Sequence, residues 1–265
     1  MEEEGRSRWP SVLVVVLAIV VLLTSASSRG MAVSSPDEAA LRPALAVKAP
    51  RPVVIIEDDP VPAGPSGPVK ESEPVSDEYF DDVAFLGDSR TEGFYLYSGL
   101  RHGMYYYAVG ATVESVFTKK VWVMPEGKIP LLDAVAQAEL GKVYIMFGVN
   151  ELGWTKTDDF KDQYRKVIER LREDHPEVQI VLQSILPVSA KQEEKKTYVN
   201  NERIAVYNDV IEALAAETGC YFVNVAEVLT GPDGCLPADL NFDGIHLNPE
   251  GCRIWLHYLR THAVG

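Results

Sequence analysis

From about Asp82 onward the chain alternates between short apolar runs and stretches of helical periodicity, and this restricts the fold more than any single motif does. The runs are Val83 to Leu86, Tyr105 to Val109, Val143 to Phe147, Val178 to Ile185 and Tyr221 to Val225. Between them, Phe160, Tyr164, Val167, Ile168 and Leu171 recur at three and four residues, as do Ile204, Tyr207, Val210, Ile211 and Leu214. That spacing keeps one face of a helix apolar. Strands and helices in strict alternation predict an α/β fold: a parallel sheet of about five strands with helices on both faces, three-layer α/β/α and flavodoxin-like. About 185 residues suffice for one such domain with a sizeable core. Sheets of this kind bind ligands beyond the carboxyl ends of their strands, so the residues that follow each run draw attention first.

The first run ends in Phe85-Leu86-Gly87-Asp88-Ser89-Arg90, and Asp243-Gly244-Ile245-His246 stands near the C-terminus. A serine hydroxyl is a poor nucleophile at neutral pH, so acyl transfer needs a base within hydrogen-bond reach and a third group to orient that base. Asp243 and His246 can supply both. The carboxylate accepts from the ring nitrogen facing it and leaves the other nitrogen for Ser89. Taken alone, Gly-Asp-Ser after a strand is equally an ordinary helix start with Asp88 as capping side chain. Two further segments lie between these ends. Tyr105 to Thr112 brings a strand to Gly110, whose bare backbone can approach a substrate oxygen closely. Val143 to Glu151 delivers Asn150 to a loop. Backbone N–H groups of Ser89 and Gly110 with the Asn150 amide would give three donors to one oxyanion, each worth about 10²–10³ in rate.

In that chain order Ser89, Gly110, Asn150 and His246 resemble the four blocks of the SGNH hydrolase family, the GDSL-type esterases and lipases. The resemblance covers about residues 80–265. It implies an α/β/α fold, no metal or other cofactor, and ester hydrolysis through an acyl-enzyme. In that scheme Ser89, His246 and Asp243 are catalytic, and Ser89, Gly110 and Asn150 form the oxyanion hole. Two positions depart from the family pattern. Glu151 follows Asn150 where Asp is usual, which bears on how that loop is braced. Arg90 follows Ser89 where Leu is commoner; it reads as a solvated first-turn arginine or as a cation favouring negatively charged substrates. Arg90 and Glu151 are thus the candidate substrate contacts.

Upstream, the unbroken apolar run Val12 to Leu23 follows Arg6 and Arg8 and reads as a membrane-targeting segment. Its core of about a dozen residues is nearer a signal peptide than the roughly 20 of a full span, whereas Trp9 to Ala26 can cross if Ser and Thr are tolerated. Ser25-Ala26-Ser27-Ser28 offers no clean Ala-x-Ala cleavage site. The expectation is a signal anchor over residues 1–29 with a cytoplasmic N-terminus, which makes the protein single-pass in the cell membrane. Secretion after cleavage is the alternative. Either way residues 80–265, the catalytic domain, lie outside the cytoplasmic membrane.

Residues 30–79 hold Pro36, Pro43, Pro50, Pro52, Pro60, Pro62, Pro65, Pro68 and Pro74, nine of the chain's 17 prolines, among Ala, Ser, Gly and acidic residues. This reads as a semi-rigid stalk or a plain disordered spacer, with Val53-Val54-Ile55-Ile56 as a candidate added edge strand. A formal charge of −14 argues against nucleic acid and anionic membrane surfaces as partners, leaving membrane contact to the N-terminal segment. Cys220, Cys235 and Cys252 lack metal-like spacing; they read as a disulfide pair plus one thiol, or as three small buried apolar residues. His102, His175, His257 and His262 read as structural or surface histidines.

Family analogy joined to location points to short acyl groups, acetyl above all, removed from carbohydrate or cell-wall polymers. The expected partner is an ester-bearing small molecule or an acylated glycan. Phe94, Tyr95, Tyr97, Trp122 and Trp154 could stack on sugar rings or simply pack in the core. Lys119 to Pro130 could fold over the site. An O-acyltransferase acting on a glycan hydroxyl would use the same residues. A non-catalytic glycan-binding module is the other alternative, although it has no chemical need for Ser89, Asn150, Asp243 and His246 together. Loss of His246 should remove most turnover, with Asp243→Asn milder.

Overall fold

A computed structural model describes residues 67–265. The expected anchor, most of the stalk and Val53 to Ile56 lie outside the described residues. The domain runs β1 (Val83–Gly87), α1 (Ser89–Tyr97), β2 (Met104–Tyr107), β3 (Lys120–Val123), β4 (Gly127–Pro130), α2 (Leu131–Val135) and β5 (Lys142–Met146). It continues with α3 (Thr157–Asp174), β6 (Gln179–Gln183), α4 (Ala190–Glu193), α5 (Asn201–Thr218), β7 (Tyr221–Val223), α6 (Ala226–Leu229) and α7 (Pro249–Thr261). Five strands form one parallel sheet in the order β2-β1-β5-β6-β7. This is the three-layer α/β/α arrangement expected from the alternation.

The apolar runs are continuous because both faces of the sheet are covered. Successive strand side chains point to opposite faces, so a strand buried on both sides has no polar position to alternate with. Ala84, Leu86, Val143, Ile145, Ile180 and Leu182 belong to one core, filled by Phe160 and Tyr164 of α3 and Ile211 and Leu214 of α5. Val83, Phe85, Tyr144, Met146 and Val181 belong to the other, with Phe94 of α1 and Trp255 and Leu259 of α7. Capping fixes the helix ends. Asp88 accepts from Arg90 N at the start of α1, Asn200 from Arg203 N at α5, and Asn248 from two amides at α7.

One expectation changes and two open ones are filled in. Residues 68–79 are not stalk in this structure but run along the domain. Val69 N donates to Phe222 O (2.8 Å), Ser72 N to Thr261 O (2.7 Å) and Val75 N to Arg260 O (3.0 Å). Asp77 pairs with Arg260, and Phe80 is wholly buried. Their apolar residues find a groove that the proline content does not reveal. Lys119 to Pro130 forms an antiparallel hairpin of β3 and β4; Lys119 Nζ holds Val109 O beside Gly110, and Trp122 is largely exposed. Phe94 lies in the core against Phe85 and Trp255, so it cannot face a substrate.

All three cysteines are free thiols; Cys220 and Cys252 are buried and Cys235 half-buried. Among the described residues no helix is long and apolar enough to cross a membrane.

Candidate active site

Four loops at the carboxyl ends of the strands present the expected residues. Gly87 ends β1, the chain turns through Asp88, and Ser89 opens α1 with its side chain free of the strand. Gly110 lies beyond β2 with a φ of +66°, a left-handed conformation that glycine adopts without a Cβ clash. Asn150 lies beyond β5, after Gly148 at a φ of +128°. His246 lies in the turn before α7.

Ser89 and His246 are 157 residues apart, yet Ser89 Oγ lies 2.9 Å from His246 Nε2. His246 Nδ1 lies 2.8 Å from Asp243 Oδ2. The other oxygen of Asp243 accepts from the amides of Ile245 (2.9 Å) and His246 (2.8 Å), so one carboxylate both shapes the turn and aims the ring. Phe242 N to His246 O closes the same turn, and Ser189 N to Gly244 O ties it to the start of α4. Partial burial raises the Asp243 carboxyl, but the amides of His246 and Ile245 and the imidazole outweigh it and hold it down at about 2. His246 and Asp243 remain open to solvent, with side chains 39% and 53% exposed.

The donors expected for an oxyanion divide into two kinds. The amides of Ser89 and Gly110 have no protein acceptor among the described residues. The Asn150 amide is engaged: Nδ2 donates to Ala111 O at 2.9 Å and to Asp88 Oδ2 at 3.2 Å. Asp88 is thus more than the capping residue legible in the sequence. Oδ1 caps α1 through Arg90 N (2.8 Å) while Oδ2 steers Asn150. Burial raises its carboxyl above the ordinary range. Nothing in the sequence announces the second role, because it depends on β1 and β5 being neighbours in the sheet.

Both candidate substrate contacts are corrected. Arg90 is 3% exposed, neither solvated nor open to a ligand at the surface; its guanidinium donates to Leu186 O at 2.8 Å. Burial lowers it to about 10 against the opposing fields of Asp88 and Asp243. Glu151 is wholly buried, and Oε1 accepts from Val113 N at 2.7 Å. The helical turn and the tight loop carry these side chains inward, away from the mouth of the site. A better surface candidate is Phe242, exposed beside Asp243 and edge-on to the half-exposed Tyr97 with ring centroids 5.5 Å apart.

The sequence profile of the GDSL-like lipase/acylhydrolase family matches residues 85–254. Among solved structures, similarity extends to a candidate platelet activating factor from Streptococcus pneumoniae. It is 24% identical, with a TM-score of 0.56 over 67% of this chain and 81% of that one. An acetyl xylan esterase is 17% identical with a TM-score of 0.51, over 67% and 96% of the two chains. A candidate lipolytic protein of the G-D-S-L family from Desulfitobacterium hafniense DCB-2 is 16% identical with a TM-score of 0.51, over 67% and 97%. These likenesses concern the fold. No curated protein sequence matches.

Proposed function

The chain belongs to the GDSL-like lipase/acylhydrolase family, an ester hydrolase by that membership, and from this we propose a serine esterase that removes short acyl groups, acetyl foremost, from carbohydrate or cell-wall polymers. The observation that carries the reading is the hydrogen-bonded chain from Ser89 Oγ through His246 to Asp243. In the proposed mechanism Ser89 Oγ attacks the ester carbonyl as His246 Nε2 takes its proton, and Asp243 holds the ring in the required tautomer. The amides of Ser89 and Gly110 receive the developing oxyanion. Asn150 joins them by surrendering its longer bond to Asp88. His246 then protonates the leaving alcohol and activates a water, which releases the acid and frees Ser89.

Hydrolysis is favoured over transfer to a glycan hydroxyl by the exposure of His246 and Asp243, since a transferase must keep water from its acyl-enzyme. Tyr97 and Phe242 offer a sugar ring an aromatic surface beside the base. The likeness to an acetyl xylan esterase agrees with an acetylated glycan as substrate. Residues 1–29 are proposed to anchor the enzyme in the cell membrane with residues 80–265 outside it, on the strength of the run Val12 to Leu23 behind two arginines. Acetate release from acetylated xylan by the purified protein, beside Ser89→Ala, tests the reading. Serine-dependent release is expected. An acylated sugar product with little free acetate would show a transferase, and no covalent chemistry at Ser89 would leave only glycan binding.

A further inference from the structure

We propose that Glu151 is a positioning residue: wholly buried, it ties the loop carrying Gly110 to the loop carrying Asn150, and charge on its carboxyl disturbs the oxyanion hole and lowers turnover. The inference rests on the oxyanion-hole reading above. Glu151 directly follows Asn150, and its Oε1 accepts from the amide of Val113, three residues after Gly110, at 2.7 Å. The Asn150 amide reaches the same loop at Ala111 O. Two adjacent side chains therefore fasten one loop to the other, and the donors on both depend on that joint.

The Glu151 backbone is itself fixed. Its amide donates to Gly148 O at 3.2 Å, and its carbonyl accepts from Tyr207 OH of α5 and from Trp154 N, both at 2.8 Å. The carboxyl is wholly buried, and Oε2 has no partner among the described residues. No cation pairs with it among the described residues. The titratable groups facing it are Asp88 from the β1–α1 turn, Tyr164 from α3 and Tyr207 from α5. A second negative charge beside Asp88 in this setting is costly, so the carboxyl keeps its proton on Oε2 while Oε1 holds Val113. Burial, reinforced by Asp88 and opposed by the Val113 amide, raises it to about 8. Ionisation above that point strengthens the bond from Val113 N but leaves a buried charge with no partner at Oε2, so water or a loop movement must relieve it. It also adds negative charge near the loops that carry the oxyanion donors, where it opposes the transition state.

The test uses the full chain as wild type, Glu151→Gln and Glu151→Ala, with p-nitrophenyl acetate across the alkaline range, corrected for spontaneous hydrolysis. Glutamine keeps the acceptor for Val113 and cannot ionise; alanine removes the acceptor. Wild-type kcat is expected to fall about tenfold per pH unit above the Glu151 midpoint with KM within about twofold, while Glu151→Gln stays level. Glu151→Ala is expected to lose about tenfold or more in kcat at every pH, with KM little changed. An unaltered alkaline fall in Glu151→Gln, or wild-type kcat in Glu151→Ala, overturns the proposal.

Two readouts do not depend on turnover and so separate this proposal from the hydrolase reading. In Ser89→Ala, the carboxyl carbon signal that Glu151→Gln removes should titrate near 8. Exchange of the Val113 amide should be faster in Glu151→Ala than in Glu151→Gln. A carboxyl titrating in the ordinary range, or equal exchange in the two variants, overturns the proposal even if no ester is found to be hydrolysed.

Discussion

Asp243 spends one oxygen on the backbone and the other on the imidazole, and that division sets what a substitution there does. Asparagine can keep the oxygen that holds the amides of Ile245 and His246. It then turns its NH₂ towards Nδ1 and forces the ring into the tautomer with hydrogen on Nε2, which cannot take the proton of Ser89. Asp243→Asn is therefore expected to lower kcat by about 10³–10⁴-fold with little change in thermal stability. This replaces the milder effect expected from sequence, because the hydrogen-bond partner of Nδ1 among the described residues is Asp243 Oδ2 itself. Since Asp243 is held down at about 2, its contribution to the turn is present above the ordinary carboxylate range and lost only as pH falls through that value. Ser89→Ala should abolish labelling by a fluorophosphonate while leaving the fold intact. Labelling at the wild-type rate would remove Ser89 as nucleophile.

Between strands and helices, the loops decide where the donors sit, and two glycines show different reasons for being there. A Cβ at Gly110 meets open space, with Lys119 Nζ 3.7 Å away as its nearest neighbour, so only the left-handed backbone objects to a side chain. At Gly148 a Cβ would lie 2.3 Å from Ile185 Cδ1, on a backbone at φ +128° that L-residues rarely adopt. Gly110→Ala should thus cost about 1–2 kcal/mol, read as a small drop in urea midpoint. Gly148→Ala adds displacement of Ile185 to about 1–3 kcal/mol of backbone strain and moves the loop that carries Asn150. It should lower both stability and kcat; a variant with wild-type values of both would show that the loop yields freely. The strands and long helices were legible because their periodicities are local. The hairpin of β3 and β4 was not, since its two runs of four residues carry no strong alternation and its anchor, Lys119 on Val109 O, is a tertiary contact.

At the scale of the molecule, residues 68–80 act as a strap across α7 and the β7 edge. Tyr79 OH donates to Val264 O at 2.8 Å and accepts from Val264 N at 3.0 Å, so this strap also secures the C-terminus. A chain beginning at residue 81 should unfold at lower urea than one beginning at residue 67, with Phe80 alone contributing about 3–5 kcal/mol. Coincident midpoints would show the strap to be passive. Glu151 adds a global pH dependence. Its carboxyl ionises near 4 when unfolded and near 8 when folded, so folding takes up a proton between these values and its effect on stability worsens as pH rises. Glu151→Gln should flatten that decline in melting temperature; a parallel decline would assign it to other groups. By itself the sequence determined the layers, the parallel sheet and the order of Ser89, Gly110, Asn150 and His246, because apolar periodicity and strand-end residues are written along the chain. Only the tertiary structure decided that Arg90 and Glu151 turn inward, that Asp88 steers Asn150 and that a proline-rich segment docks. Each of these depends on which distant element stands opposite a side chain once the sheet has closed.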